Sequence, residues 1–432
     1  VGDWTLVVIA TVISGYAALS RRLAGTPVTA AIVFVAAGLA FGHVGIDWLQ
    51  LSFHEHSVSV LAEATLVVVL FADASRIDLR ALRREYAIPA RLLGIGLPLT
   101  IVAGTVVGAL LIPGITWSEA AVLAIVLAPT DAALGQAVVT DARLPSRIRQ
   151  ALNVESGLND GLCVPLLTIM LAIATADTGH VTAAHATRLV VEAIGWGVFG
   201  GVVAGAVGGG LLRIARDHDL IADAWVPVLP LMAALASFAV ADALGGSGFI
   251  AAFVAGIAYG RVAPRDPEAT LLTEQIGDVL NAATFIVFGA AILGGLWSEI
   301  GAVEIAYAAL SLTIVRMLPV AVALAGSRAR LPTVAFLGWF GPRGLASIVF
   351  GVVVVEAAGL THTSALTVAI VVTVALSVVA HGISAAPLTN RYAAWCTAAV
   401  ERGHATMESM KVPTQRWRRG PVVRPPEHLS GS

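Results

Sequence analysis

Inside one long apolar stretch of the 432-residue chain stands the run Glu155-Ser156-Gly157-Leu158-Asn159-Asp160. On a helix Ser156 and Asp160, four residues apart, share a face, and Glu155 and Asn159 form the neighbouring pair of the same spacing. Carboxylate, hydroxyl and freed backbone carbonyls are hard donors, suited to a hard cation that has shed most of its water. A second apolar stretch supplies such carbonyls at Ala128-Pro129-Thr130-Asp131. Pro129 removes an N–H and crowds the preceding turn, so the helix is expected to unwind near Thr130 and present main-chain oxygens beside Asp131. Desolvation disfavours a bare charge, so Asp160 would be neutralised by a proton or by a cation, and competition for one seat amounts to exchange.

Ionisable residues inside a bilayer cost at least ~2.5–3.5 kcal/mol each and are functional candidates by default. The concentrated ones are Asp131, Glu155, Asp160, Arg316 and Arg343. Three acids against two bases leave one acid over, and Asp160 is the preferred choice. Asp131 also reads as a polar cap at a helix break, satisfied by backbone groups. Glu155 with Arg316 reads as a structural ion pair or as part of a transport step, with the structural role preferred. Arg343, between Gly341-Pro342 and Gly344, would offset half-helix C-terminal dipoles or tune the site's potential, and both readings stand. Asp73, at the end of an apolar run, is a candidate to face the site from a second layer. His54, His56, His180, His185 and His362 read as solvated loop residues, and His381 as a polar contact within a bundle.

These residues must be positioned by elements that live in a bilayer. With 57% hydrophobic residues, 12% charged residues and a mean hydropathy of +0.86, the chain is not an ordinary soluble globule. Runs of about 20 apolar residues place thirteen spans at roughly 3–19, 26–42, 57–72, 90–113, 118–139, 150–175, 188–212, 224–242, 247–260, 277–296, 302–325, 333–355 and 363–387. The loops after spans 1, 3, 5, 7, 9 and 11 and the tail hold all of the 26 basic residues except Arg188, Arg316 and Arg343. That segregation predicts an N-terminus outside and a C-terminus in the cytoplasm. The first run lacks a basic leader region and is read as a retained span, and no large soluble domain is expected. Matching interruptions in span 5 at Pro129 and span 12 at Pro342 point to inverted repeats whose two broken helices cross at the site. The fold class expected is all-α and polytopic. Residues 390–432 read as a loosely ordered cytoplasmic tail lying on anionic lipid. The glycines from Gly195 to Gly210 allow close helix contact. Cys163 and Cys396 match no metal spacing, which argues against zinc and disulfides alike.

The motifs together resemble the monovalent cation:proton antiporter family of the electroneutral sodium/proton exchanger type. Glu155-Ser156-Gly157-Leu158-Asn159-Asp160-Gly161 is similar to that family's Glu-Ser-x-x-Asn-Asp signature, and Thr130-Asp131 to its Thr-Asp-Pro break. Gly246-Ser247-Gly248-Phe249-Ile250-Ala251-Ala252-Phe253-Val254-Ala255-Gly256, Arg316-Met317-Leu318-Pro319-Val320, Arg343-Gly344 and His381-Gly382-Ile383-Ser384 extend the likeness over nearly the whole chain up to the tail. The resemblance implies a thirteen-helix antiporter domain over residues 1–389, with a mobile core including 118–175 and 333–387 beside dimerisation helices. It implies homodimers, elevator-like motion and exchange of Na⁺, or alternatively K⁺ or Li⁺, for H⁺ in a bacterial inner membrane. Asp160 becomes the transport carboxylate, with Asp131, Ser156 and the Thr130 carbonyl as ligands of the metal ion. Asn159 marks the electroneutral branch, as does the absence of lysine from every span, Lys411 being the only one. Glu155 pairs with Arg316. No cofactor beyond the transported ions, no enzymatic activity and no nucleic-acid partner are expected. Ala132 stands where the family usually has Pro, which puts the shape of the first break in question. A channel would need a continuous polar path rather than one compact acid cluster. An intramembrane serine protease is the rival from another class, with Ser247 as nucleophile and His381 as base.

Overall fold

The computed structural model describes residues 4–23, 26–49, 51, 56–77, 87–131, 133–177, 182–264, 266, 268–357 and 359–402. Every regular element among them is helical. In chain order these are α1 (Thr5–Leu23), α2 (Ala30–Phe41), α3 (His56–Ser75), α4 (Ala87–Leu111), α5 (Trp117–Val126), α6 (Gln136–Val139), α7 (Ser146–Asp177) and α8 (Ala183–Asp217). Then follow α9 (Val228–Ala243), α10 (Gly248–Val262), α11 (Leu271–Leu293), α12 (Ala302–Ala323), α13 (Leu331–Trp339), α14 (Leu345–Glu356) and α15 (Thr363–Glu401). Among the described residues nine stretches are long and apolar enough to cross a membrane, and α2, α5, α10 and α14 are shorter apolar helices. Each falls on one of the expected spans, so the all-α polytopic reading stands.

The helices sort into two bundles. One packs α1, α2 and α3 with α8 to α11, and the other packs α4 to α7 with α12 to α15. They meet along a seam where α7 touches α3, α8 and α10, where α14 touches α3 and α11, and where α15 touches α2 and α11. Glycine explains the closest contacts. A Cβ on Gly201 or Gly205 of α8 would run into the Ala251 and Ala255 carbonyls of α10, and one on Gly256 into Phe71 and Ala74 of α3. In lipid, where apolar burial gives helices little reason to associate, such close backbone approach supplies the packing energy. The glycine-rich stretch of α8 therefore serves packing, as its sequence suggests.

Both interruptions are present. α5 begins with a capping box, in which Thr116 Oγ1 accepts from Glu119 N–H and Glu119 Oε2 accepts from Thr116 N–H. It stops at Val126, and helix resumes only at α6. α13 stops at Trp339 and α14 starts at Leu345.

The expected tail boundary falls inside a helix, because α15 runs on to Glu401. Tyr392, Ala393, Cys396 and Ala399 are buried at helical spacing, the first three in a cluster with Val138, Leu144, Ile148, Phe336 and Phe340. Tyr392 stacks on Phe336 at 4.2 Å between centroids and hydrogen-bonds Thr333 at 2.9 Å. The polar Asn390 and Arg391 end the apolar run but only mark the outer face of an amphipathic continuation. Residues 403–432 lie outside the described residues, as do Ala132, His54 and His180.

Candidate functional site

The two breaks cross and are tied together by backbone. Asp131 N–H donates to Pro342 C=O at 2.7 Å. Asp131 Oδ1 accepts from Ala133 N–H at 2.7 Å and Leu134 N–H at 3.4 Å, while Oδ2 accepts from Leu345 N–H at 3.0 Å, at the start of α14. One carboxylate thus caps the restart of its own strand and the opening turn of the opposite half-helix. Gly344 is required here, since a Cβ would strike that carboxylate.

Arg343 does the converse. Its Nη1 donates to the Ala128 carbonyl and, at 3.2 Å, to the Pro129 carbonyl, the oxygens left over where α5 ends. Its own N–H donates to Ser377 Oγ on α15 at 2.7 Å, and Ser347 Oγ donates to the Val126 carbonyl at 2.8 Å. The guanidinium thus stands against the carbonyls just beyond the C-terminal end of α5.

α7 lies against this crossing. Ser156 Oγ donates to the Thr130 carbonyl, and Asn159 Nδ2 donates to Thr130 Oγ1 at 2.8 Å. Thr130, Ser156 and Asn159 are all buried. Asp160, beside Asn159 and one turn beyond Ser156, is half-buried on the same side of the helix. Asn159 Oδ1 is buried without a hydrogen-bond donor among the described residues. Thr130, Asp131, Ser156, Leu152, Val138, Val139, Phe340 and Pro342 line a cavity of about 10 Å³, room for a single water. Ser156 and Asn159 are therefore brought onto Thr130, with Asp160 one turn beyond Ser156 on the same helix and Asp131 at the same crossing, its oxygens accepting backbone N–H groups.

Glu155, on the neighbouring face of α7, meets Arg316 of α12 at 2.6 Å with side chains 3% and 2% exposed. A Cβ on Gly341 would lie 2.5 Å from Arg316 Nε, so the guanidinium packs directly beneath the second break. This buried ion pair joins α7 to α12.

Asp73 abuts the site from α3, where a Cβ on Gly157 would stand 3.7 Å from the Asp73 Cβ. Sequence reasoning missed what lies behind it: Arg76 pairs with both Asp73 and Glu274. It also missed Glu119. Glu119 Oε1 accepts from Thr361 and His362 N–H at 2.8 and 2.9 Å, and Oε2 lies 2.9 Å from His362 Nδ1. His362 is thus fastened to a buried acid rather than being a loosely solvated loop residue. The only signal was an acid at a helix start following Thr116, which reads as an ordinary cap.

The hydrolase rival has no geometry. Ser247 Oγ accepts from Ile250 N–H as the cap of α10. His381 Nδ1 lies 3.1 Å from Ser377 Oγ and Nε2 lies 2.9 Å from the Trp339 carbonyl, the contact within a bundle that its sequence context suggests.

A family model described as sodium/hydrogen exchanger, transmembrane, matches residues 7–391. The K(+)/H(+) antiporter NhaP2 of Shewanella oneidensis is 25% identical over 341 residues, covering 77% of this chain and 57% of that protein. An uncharacterized Na(+)/H(+) exchanger, YjcE of Escherichia coli, is 29% identical over 248 residues, 55% of this chain and 44% of that one. The matches thus span 57% and 44% of those two relatives' own length. The solved structure of the sodium proton antiporter MjNhaP1 from Methanocaldococcus jannaschii at pH 8 superposes with a TM-score of 0.67 at 17% identity, covering 88% of this chain and 96% of that one. It shares the fold, two broken helices crossing in a multi-pass bundle being what the present chain builds. With nearly its whole described length matched, the chain belongs to the transmembrane sodium/hydrogen exchanger family, a family of transporters and not of enzymes.

Proposed function

We propose that the protein exchanges a monovalent cation, Na⁺ in the first instance, for one proton, by competition at Asp160 with alternating access. The observation that carries this reading is the convergence of Ser156 and Asn159 on Thr130, one helical turn from Asp160. A cation entering there would be held by the Asp160 carboxylate, the Ser156 hydroxyl and the Thr130 carbonyl, the last two exchanging their mutual hydrogen bond for the ion. Asp131 holds Thr130 in place and adds negative potential, its oxygens being engaged by Ala133, Leu134 and Leu345 N–H. A proton on Asp160 removes the charge that the ion needs, so the two exclude each other. An empty, charged Asp160 is too costly to carry past the apolar seam, whereas either neutral form passes. That asymmetry turns competition into obligatory exchange. Movement of the α4–α7 and α12–α15 bundle past α3 and α10 would expose the seat alternately to each side, in a homodimer with its N-terminus outside.

Asn159 contributes no charge and no lysine lies in any span, which supports one-for-one, electroneutral exchange. Na⁺ is the first reading because the matching family model is described as a sodium/hydrogen exchanger. K⁺ is the second reading, favoured by relatives that carry the name K(+)/H(+) antiporter.

Proteoliposomes loaded with a pH-sensitive dye and pulsed with Na⁺, Li⁺ or K⁺ test this. Asp160→Asn is expected to abolish cation-driven pH change while eluting as folded protein. Undiminished exchange in that variant would reject the assignment, and rates that respond to an imposed membrane potential would reject electroneutrality.

A further inference from the structure

Three charged side chains outside the Asp160 cluster meet at the end of the molecule that carries the arginine loops, cytoplasmic by the positive-inside rule. Asp73 lies in the last turn of α3, Arg76 directly follows that helix, and Glu274 lies in the first turn of α11. Arg76 Nε donates to Glu274 Oε1 at 2.9 Å, and Nη2 lies 2.5 Å from the same oxygen. Thr270 Oγ1 donates to that oxygen as well, at 2.9 Å. Toward Asp73 the guanidinium reaches less closely, Nη1 standing 3.8 Å from Oδ1. The side chains of Arg76, Asp73 and Glu274 are 11%, 19% and 16% exposed, so water and salt screen their fields far less than on an open surface.

The group adjoins the helix that carries Asp160. Asp73 abuts α7 at Gly157, next to Ser156 and three residues before Asp160. On a helix that separation is about one turn, ~5 Å. A cation arriving from the arginine-loop face meets these charges before it meets Asp160. Among the described residues this group sets two acids against one base, and the position of that base decides how strongly the group attracts a cation.

We propose that Arg76 is an internal counter-cation that sets the affinity of the site for its monovalent cation at this face, with Glu274 as the positioning residue that draws it away from Asp73. The share of the guanidinium charge that falls on Asp73 opposes an ion approaching Asp160, and the share held by Glu274 does not. The inference rests on Asp160 being the seat.

The two single neutral variants are then opposite in sign, an outcome no purely structural role produces. Arg76→Gln removes the opposing charge, and the apparent KM for Na⁺ at this face falls about three- to tenfold, the effect of one charge at ~10 Å in a partly screened site. Glu274→Gln releases Arg76 onto Asp73, and KM rises by about the same factor. Arg76→Gln combined with Glu274→Gln restores the original net charge and returns KM close to its starting value, as does Arg76→Lys. The measurement is Na⁺-driven proton release in inside-out against right-side-out vesicles, at alkaline pH where protons compete least, with gel filtration of each variant. Movement of KM in the same direction in both single variants, or by less than about twofold in each, overturns the proposal. If Arg76→Gln does not fold, Glu274→Gln and the double variant still carry the sign. Asp160→Asn run alongside separates the two claims: exchange surviving there defeats the seat itself, whereas its loss there with like-signed KM shifts defeats only the role of Arg76.

Discussion

At the first interruption the side chain that enters the crossing is an acid, Asp131; at the second it is a base, Arg343. Each serves the opposite strand. Asp131 Oδ2 accepts from Leu345 N–H at the positive end of α14, and Arg343 Nη1 donates to Ala128 and Pro129 C=O beyond the negative end of α5. Two breaks built alike therefore need opposite charges because they present opposite helix ends to one another. The consequence for function is that both charges are absorbed by the scaffold. Asp160 stands on unbroken helix beside them, one turn beyond Ser156.

The comparison breaks most visibly at Arg343. Arg343→Ala leaves two carbonyls buried at the crossing without their donor, and each buried acceptor left unsatisfied costs about 1–3 kcal/mol. Thermal unfolding in detergent is expected to show the largest fall in Tm of any single substitution at the crossing, with partial recovery in Arg343→Lys, whose ammonium serves fewer acceptors in a fixed geometry. An unchanged melting curve would mean that α5 does not depend on this cap.

Asp131→Asn sharpens the contrast. One amide oxygen can still accept from Ala133 or from Leu345, but the NH₂ group must then face the other N–H, so one cap is lost at about 1–3 kcal/mol. The fall in Tm should be smaller than for Arg343→Ala and accompanied by retained, slower exchange. A variant as stable as the parent with no cation binding would instead give Asp131 a direct place in the seat.

How much of this was legible in the sequence follows from what residue types encode. Pro129 and Pro342 announce the breaks because proline removes a donor wherever it stands, and Glu155 with Arg316 announces a pair because isolated charges are not left in apolar helices. The engagement of Asp131 by Leu345 was not legible, since backbone N–H groups carry no letter in the sequence and their need for partners appears only once strands cross. Arg76 was hidden by its neighbours: counted among the loop arginines that fix topology, it gave no sign of reaching Glu274, which fell just before the expected start of its span. The continuation of α15 past Asn390 was hidden for a different reason. A stripe of Tyr392, Ala393, Cys396 and Ala399 buries one face only, and a search for fully apolar runs stops where such a helix begins.

That continuation joins the two breaks a second time, at the surface. Arg143, just past α6, donates from Nε to Asp141 Oδ1 at 3.0 Å and from Nη2 to Asn390 Oδ1 of α15 at 2.8 Å, while α15 also carries the Ser377 hydroxyl that binds Arg343 N–H. The Arg143 side chain holds the Asp141 carboxyl below the usual aspartate value, chiefly through its hydrogen bond. A lowered folded value means that the contribution to stability is present above the unfolded pKa of about 3.9 and is lost as pH falls through the folded one. Arg143 is 62% exposed, so the pair is worth under about 1 kcal/mol. Asp141→Asn is therefore expected to lower Tm slightly and by the same amount at about pH 6 and about pH 8, with the gap closing only well into acid. A gap that widens between those two pH values would show that the clasp is coupled to a group titrating near neutrality, and the surface tie would then belong to the transport cycle rather than to the scaffold.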